Sequence, residues 1–242
     1  MNTDVLISWL RILGTGFVVT VQVSALTLIF SVILAVILAV VSVSPWRPLR
    51  FLAAAYVDLL RSIPILALAI SVYFGLGATL YQLGITPFGT AVLVLTAIES
   101  AYLAELYRGS LEAIRRPQWD AAASLGLGWT RTVWHVILPQ ALPPAVPITL
   151  NMAIAIIKDS SLVSLIAVSE VTLVANQLIA ETFEPVPVYL LAALLYVLLI
   201  IPLSQVSRRI EAVVAHKLGL QPRTDRDSKL QRLSIEAEAR AG

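Results

Sequence analysis

The chain has 242 residues, 58% of them hydrophobic and only 13% charged, with a formal net charge of +2. Together with a mean hydropathy of +0.87, this composition excludes an ordinary soluble domain and points to an all-α polytopic membrane protein. Cysteine is absent, so neither a disulfide nor a thiolate metal site can be drawn, and His135 and His216 lie far apart with no co-ligand spacing.

A membrane span needs about 20 apolar residues to cross roughly 30 Å of hydrocarbon. Residues 16–43 supply the first span. The residues before it, with Asp4 and Arg11, lack the pattern of a cleavable signal. Thr20, Ser24, Thr27 and Ser31 recur at spacings of four, three and four on one face of it, a small-residue stripe of the kind that lets membrane helices approach closely. Residues 63–80 form the core of a second span, and the lead into it, 51–61, holds Asp58 and Arg61 and is expected at the interface. The third span, 88–107, carries Glu99 and Glu105. Six residues are about 600° of helix, so the two acids occupy different faces. Arg108 stands three beyond Glu105, a spacing that favours an ion pair.

The stretch 109–139 is polar and amphipathic. It holds Ala121, Ala122 and Ala123 as a closely approachable side, with Asp120 near a helix start, where it suits the dipole, and Gln118 able to serve exposed amides. Gly126 and Gly128 break the helix and turn the chain. Leu125, Leu127, Trp129, Val133 and Trp134 are apolar anchors that need membrane or protein contact. A fourth span covers about 142–157 and begins with Pro143, Pro144 and Pro147, which predicts a tilted or irregular start. Lys158 and Asp159 then place opposite charges side by side, followed by Ser160 and Ser161. Asp159 or Ser160 can cap the next helix. Alternatively, the four line a path for a solute that carries both signs of charge. Asn151 lies about 20° from Lys158 on the same helix face and extends that polar stripe. Residues 162–179, with Glu170, Asn176 and Gln177, read as a buried or re-entrant helix rather than a sixth span. The fifth span is 186–206, with a kink expected at Pro202.

Basic residues fall in alternate connections: Arg47 and Arg50, then Arg108, Arg115, Arg116 and Arg131, then Arg208, Arg209 and Lys217. The opposite loops, 77–87 and 160–185, contain no Lys or Arg. The positive-inside rule therefore puts the N-terminus outside and the C-terminus in the cytoplasm. Residues 1–215 form the transmembrane domain. Residues 216–242, where six basic and four acidic residues mix from Lys217 onward, are expected to be a solvated tail, partly disordered.

The motifs Arg61-Ser62-Ile63-Pro64, Ala101 to Gly109 (AYLAELYRG), Gln118-Trp119-Asp120-Ala121-Ala122, Val136-Ile137-Leu138-Pro139-Gln140-Ala141, Asn151, and Lys158-Asp159-Ser160-Ser161-Leu162 resemble, in this order, the permease subunits of polar amino acid ATP-binding-cassette importers, the histidine/glutamine/arginine/glutamate group. The resemblance covers about residues 14–210. It departs at Asp120, where Glu is usual, at Arg115, where Pro is common, and at Pro117, where Gly is common. It implies the five-helix type I importer permease fold with a cytoplasmic coupling helix. Gln118, Trp119, Asp120, Ala121, Ala122, Gly126, Leu138 and Pro139 would then meet the ATPase. It implies a multi-pass location in the bacterial inner membrane, with two ATPase subunits that bind the ATP, an identical or sister permease, and an extracytoplasmic solute-binding protein as partners. No nucleic acid and no cofactor of the chain's own are implied. Glu99, Tyr102, Asn151, Lys158, Asp159, Ser160 and Ser161 are the candidate pathway residues. Opines, related amino acid derivatives and compatible solutes are alternative cargoes. A secondary transporter or channel is the alternative class, although such proteins commonly carry internal repeats and more spans. An enzyme is disfavoured: the sequence has no Walker A loop, no His-Glu-x-x-His and no Gly-x-Ser-x-Gly.

Overall fold

The computed structural model describes residues 3–217, and these are almost entirely helical. The helices in chain order are α1 (Thr3–Ser42), α2 (Arg47–Ser62), α3 (Ile65–Gln82), α4 (Pro87–Glu112), α5 (Arg116–Ser124), α6 (Trp129–Thr132), α7 (Leu138–Asp159), α8 (Val171–Thr182) and α9 (Pro185–Lys217). A π-helical turn, Val133–Ile137, joins α6 to α7, and a 3₁₀ segment, Ser160–Ile166, follows α7. Five helical segments are long and apolar enough to cross a bilayer: α1, α3, α4, the run Trp129–Ile166, and α9. Helices suit that environment because every backbone amide and carbonyl is satisfied within the segment. At 12 residues, α8 is about 18 Å long. It is too short to span, as its composition suggested.

The boundaries correct several expectations. The first span begins at Thr3, well before residue 16, because nothing between Asp4 and Gly16 breaks a helix. The lead into the second span is a helix of its own, α2. It is separated from α3 by Ile63 and Pro64, both in extended backbone. A residue before proline is disfavoured in the α region, so the break falls where Pro64 requires it. α7 absorbs Pro143, Pro144 and Pro147 in its interior. The irregularity sits upstream in the π turn, immediately before Pro139. There the Gln140 side chain donates to the Val136 carbonyl at 2.6 Å. α9 runs through Pro202 and ends at Lys217, so the proposed tail boundary at 215/216 falls inside a helix. The remainder of that tail lies outside the described residues.

Packing is organised by α1 against α4, the most extensive helix contact in the molecule. Thr20, Ser24, Thr27 and Ser31 are all buried, continued along α1 by Ala35 and Ala39. The small-residue stripe is a packing seam, and Ser31 donates across it to the Thr96 carbonyl at 3.5 Å. A second close approach joins α1 to the start of α8. A Cβ added to Gly16 would lie 2.9 Å from the Glu170 carbonyl carbon and the Val171 nitrogen. Thr20 accepts a hydrogen bond from that same Val171 amide at 3.3 Å. Glu170 is fully buried. It accepts from the Thr172 and Leu173 amides, both at 2.9 Å, and from the Tyr196 hydroxyl of α9 at 2.7 Å. One carboxylate thus caps α8 and pins α9 to it.

Gly16→Ala should lower the thermal midpoint of the purified protein, because the methyl meets backbone that cannot swing aside. Overpacking of this kind costs about 1–3 kcal/mol. Gly14→Ala, where a Cβ meets nothing within 4 Å, is the matched control and should leave the midpoint unchanged or raise it, since Ala is the better helix former by about 0.5–1 kcal/mol. Melting curves in detergent compare the two directly.

Candidate functional site: an interhelical docking segment and a membrane carboxyl pair

The connection between α4 and α7 folds into a compact unit. α5 starts after Arg115, whose side chain makes no cap. Asp120 sits in the middle of α5, not in its first turn, and the Gln118 side chain caps nothing. Neither residue therefore serves the helix end as expected. Their side chains are free, and both residues are exposed. The C-terminal end is built as anticipated at Gly126, whose φ of +75° is left-handed. The Gly126 amide bonds the Ala123 carbonyl at 2.9 Å, and the Leu127 amide reaches the Ala122 carbonyl at 3.1 Å. This double closure stops a helix cleanly. Gly128 has a different role: its φ is −66° and it precedes α6.

Burial divides the segment into two faces. Ala122 and Val133 point inward, at 3% and 0% exposure. Trp119 packs half-buried against the cluster of Ala39, Tyr107, Leu111 and Ile137. The outward face presents Gln118, Asp120, Ala121, Ala123 and Leu125, with Leu125 at 80% exposure and Trp134 at 55%. Leu138 and Pro139 begin α7 directly behind the π turn. The unit is therefore a short helix held by its inner residues, with an acid and apolar side chains turned outward.

Within the spans the polar candidates separate into distinct places. Glu105 and Arg108 pair as predicted, at 2.6 Å and 3.0 Å, and Arg108 also bonds Glu112 at 2.6 Å. Arg61, at the end of α2, joins them 4.0 Å from Glu105 and lies 5.5 Å from the centre of the Tyr102 ring. The Tyr102 hydroxyl donates to the Arg61 carbonyl at 3.3 Å. Tyr102 thus latches the α2–α3 break to α4. This contact joins residues 41 apart in sequence, and no local signal announces it. Asn151 donates to Glu211 at 2.9 Å and accepts from Ser207 at 3.0 Å, tying α7 to α9. Ser160 donates to Ile157 and Ser161 to Lys158, both at 2.7 Å. Asp159 precedes the 3₁₀ segment without a side-chain cap, so neither of the two suggested caps forms. Glu99 is 2% exposed, midway along α4, and Asp159 is half-buried at the end of α7.

Five apolar spans, packed along a small-residue seam and interrupted by one outward-facing amphipathic unit, define a membrane subunit that works with a partner. The chain belongs to the family of binding-protein-dependent transport system inner membrane components, which it matches over residues 31–216. It is 32% identical to a probable glutamine ABC transporter permease, GlnM, of Bacillus subtilis, over 84% of this chain and 94% of that one. It is 33% identical to the L-cystine transport system permease TcyB of the same organism, over 84% and 87%. Among solved structures it superposes on an amino acid ABC transporter crystallised with histidines at a TM-score of 0.77, with 26% identity over 87% of this chain and 98% of the other. The MetNI methionine ABC transporter, at 19% identity and a TM-score of 0.74 over 88% and 99%, shares the fold. The fold expected from the resemblance is the one observed, and the chain is a multi-pass permease component.

Gly126→Val should open the end of α5. A β-branched residue in the left-handed region costs about 1–2 kcal/mol. Hydrogen exchange at the residue 126 and Leu127 amides should therefore speed up roughly tenfold or more, while Gly128→Val should change those two amides little.

Proposed function

We propose that this chain is the membrane-spanning subunit of an ATP-driven importer of polar amino acids. An identical or sister permease completes the pathway, two ATPase subunits power it, and an extracytoplasmic binding protein delivers the solute. The observation that carries the reading is the α5 unit. Asp120, Gln118, Ala121 and Leu125 face outward from a helix that Trp119 and Ala122 root against the ends of α1, α4 and α7. A push on that helix acts directly on those spans. The N-terminus lies outside and the C-terminus inside, so this unit is cytoplasmic, in keeping with the arginines around it.

In this mechanism ATP binding draws the two ATPase subunits together, and α5 transmits the motion. The rooted side of α5 gives it leverage, while Gly126 stops the helix so that α6 and the π turn carry the displacement to α7. Asp120 supplies a charge to the ATPase groove, and Ala121 and Ala123 allow its backbone to come close. Leu138 and Pro139 transmit the movement into the span. Glu99 and Asp159, with Lys158, Ser160 and Ser161 beside them, line the path for the solute. Asn151 and Tyr102 hold the neighbouring helices in register. This chain performs no chemistry on the solute. The energy comes from ATP bound by the partner.

Asp120→Lys reverses the charge offered to the ATPase without entering a span. Membrane levels should stay normal, with ATPase association and amino acid uptake reduced at least tenfold in proteoliposomes that contain the whole complex. Wild-type uptake by this variant, or ATP hydrolysis by the purified chain alone, defeats the reading.

A further inference from the structure

α2 takes no part in the path that carries motion from α5 to α7, yet its first two turns are chemically distinctive. Trp46, immediately before the helix, and Phe51 and Leu52 in its second turn are largely exposed. Between them stand Arg47 and Arg50, also exposed. Basic groups in a first turn oppose the helix dipole, and the first turn of α2 contains no acid. The two arginines therefore do not serve the helix itself. Exposed aromatic and aliphatic side chains beside cations are the pattern of an element at the membrane interface, where the apolar groups reach the acyl boundary and the cations reach headgroups.

A groove of about 660 Å³ opens beside this end of α2, within the range of roughly 300–1,000 Å³ typical of small-ligand sites. Its walls include Ser42 at the end of α1, Glu112 at the end of α4, Arg50 of α2, and Arg116, Trp119 and Asp120 of α5. The two acids do not neutralise the two arginines. Glu112 is bonded by Arg108 at 2.6 Å, and Asp120, four residues beyond Arg116, does not pair with it. No ion pair among the described residues includes Arg47, Arg50, Arg115 or Arg116. Arg50 donates to the Ser44 carbonyl at 3.4 Å, a neutral partner that leaves its charge unmatched.

Guanidinium groups bind phosphate oxygens through paired, charge-assisted hydrogen bonds. Two of them, carried by different helices on the walls of one open groove, suit a phosphate-bearing anion. The surroundings select its source. On the topology above, the groove lies at the cytoplasmic leaflet, where anionic lipids collect and basic pockets between membrane helices hold their headgroups. Trp46, Phe51 and Leu52 offer acyl chains a contact next to the same arginines, which a dissolved phosphate could not use.

We propose that this groove holds the headgroup of an anionic phospholipid, with Arg50 and Arg116 on its phosphate, and that the lipid braces the start of α5 against α2. Trp119 lines the groove and also roots α5 in the bundle, so an occupant bears directly on the docking helix. The placement at the inner leaflet rests on the importer reading, whereas the binding itself does not depend on what is carried.

The test is native mass spectrometry of the full chain, delipidated in detergent and titrated with phosphatidylglycerol or phosphatidylcholine of identical acyl chains. Phosphatidylglycerol should bind about tenfold more tightly. Arg50→Gln and Arg116→Gln should each weaken it about fivefold, the factor expected for one cation beside an anionic headgroup, with phosphatidylcholine unaffected. Arg50→Lys should recover most of the loss. Arg131→Gln removes an exposed charge from α6 outside the groove and should leave the affinity unchanged. In nanodiscs, phosphatidylglycerol should slow amide exchange along α5 relative to phosphatidylcholine in the wild type but not in Arg116→Gln. Equal binding of the two lipids overturns the proposal, as does an equal loss in Arg131→Gln, the mark of diffuse surface charge. Displacement of the lipid by equimolar inorganic phosphate makes the groove a soluble-anion site instead. Unchanged lipid affinity in both groove variants, with ATPase association lost, assigns the groove to the ATPase and also overturns it. Absence of uptake by the wild-type complex in either lipid defeats the importer reading without altering the binding result.

Discussion

The close approach of α1 to α4 is the constraint on which the rest of the molecule depends. In a bilayer the hydrophobic effect does not drive helices together, since lipid tails are as apolar as leucine. Association rests on packing and on a few interhelical hydrogen bonds. The buried face of Thr20, Ser24, Thr27, Ser31, Ala35 and Ala39 lets the two backbones come together. Their common wall then receives the other elements: α7 through the Tyr107–Thr149 hydroxyl contact, the 3₁₀ segment through Val163 and Ile166, and α2 through Tyr56, whose hydroxyl donates to the Ala97 carbonyl at 3.0 Å. Widening the α1–α4 seam would loosen each of these at once.

The polar residues of the spans fall into two kinds, separated by how completely they are satisfied. Glu170, Glu105 and Asn151 each have several partners within hydrogen-bonding distance or in ion pairs, and each ties one helix to another. Such groups hold the bundle together because breaking them would strand a charge or an amide in hydrocarbon. Glu99 Oε1, like the Ser24, Thr27 and Thr96 hydroxyls, is enclosed and has no partner among the described residues.

The segment between α4 and α7 gains its function from a division of labour within very few residues. Trp119, Ala122 and Val133 face the bundle, and Asp120, Leu125 and Trp134 face away. A nine-residue helix such as α5 is marginal alone in water. It persists because its inner side chains are packed and because Gly126 and the Leu127 amide close its end.

Composition and pattern by themselves determined the class, the five spans, the non-spanning character of α8, the seam on α1, the Glu105–Arg108 pair and the turn at Gly126. Each of these follows from residue chemistry acting over a few positions along one element. The motif order likewise pointed to the family before any coordinates. What the tertiary structure alone decided are the meetings of distant residues. These are Tyr102 with Arg61, Asn151 with Ser207 and Glu211, and Gly16 with the Glu170 backbone. It also decided which faces of α5 and the π turn are hidden, turning Ala122 and Val133 inward, and it left Asp120 and Gln118 free of helix capping. Periodicity assigns a residue to a face of its own helix, but only the packing of that helix says what the face meets. In a membrane chain nearly every face is apolar, so the pattern distinguishes core from lipid least where the structure distinguishes them most.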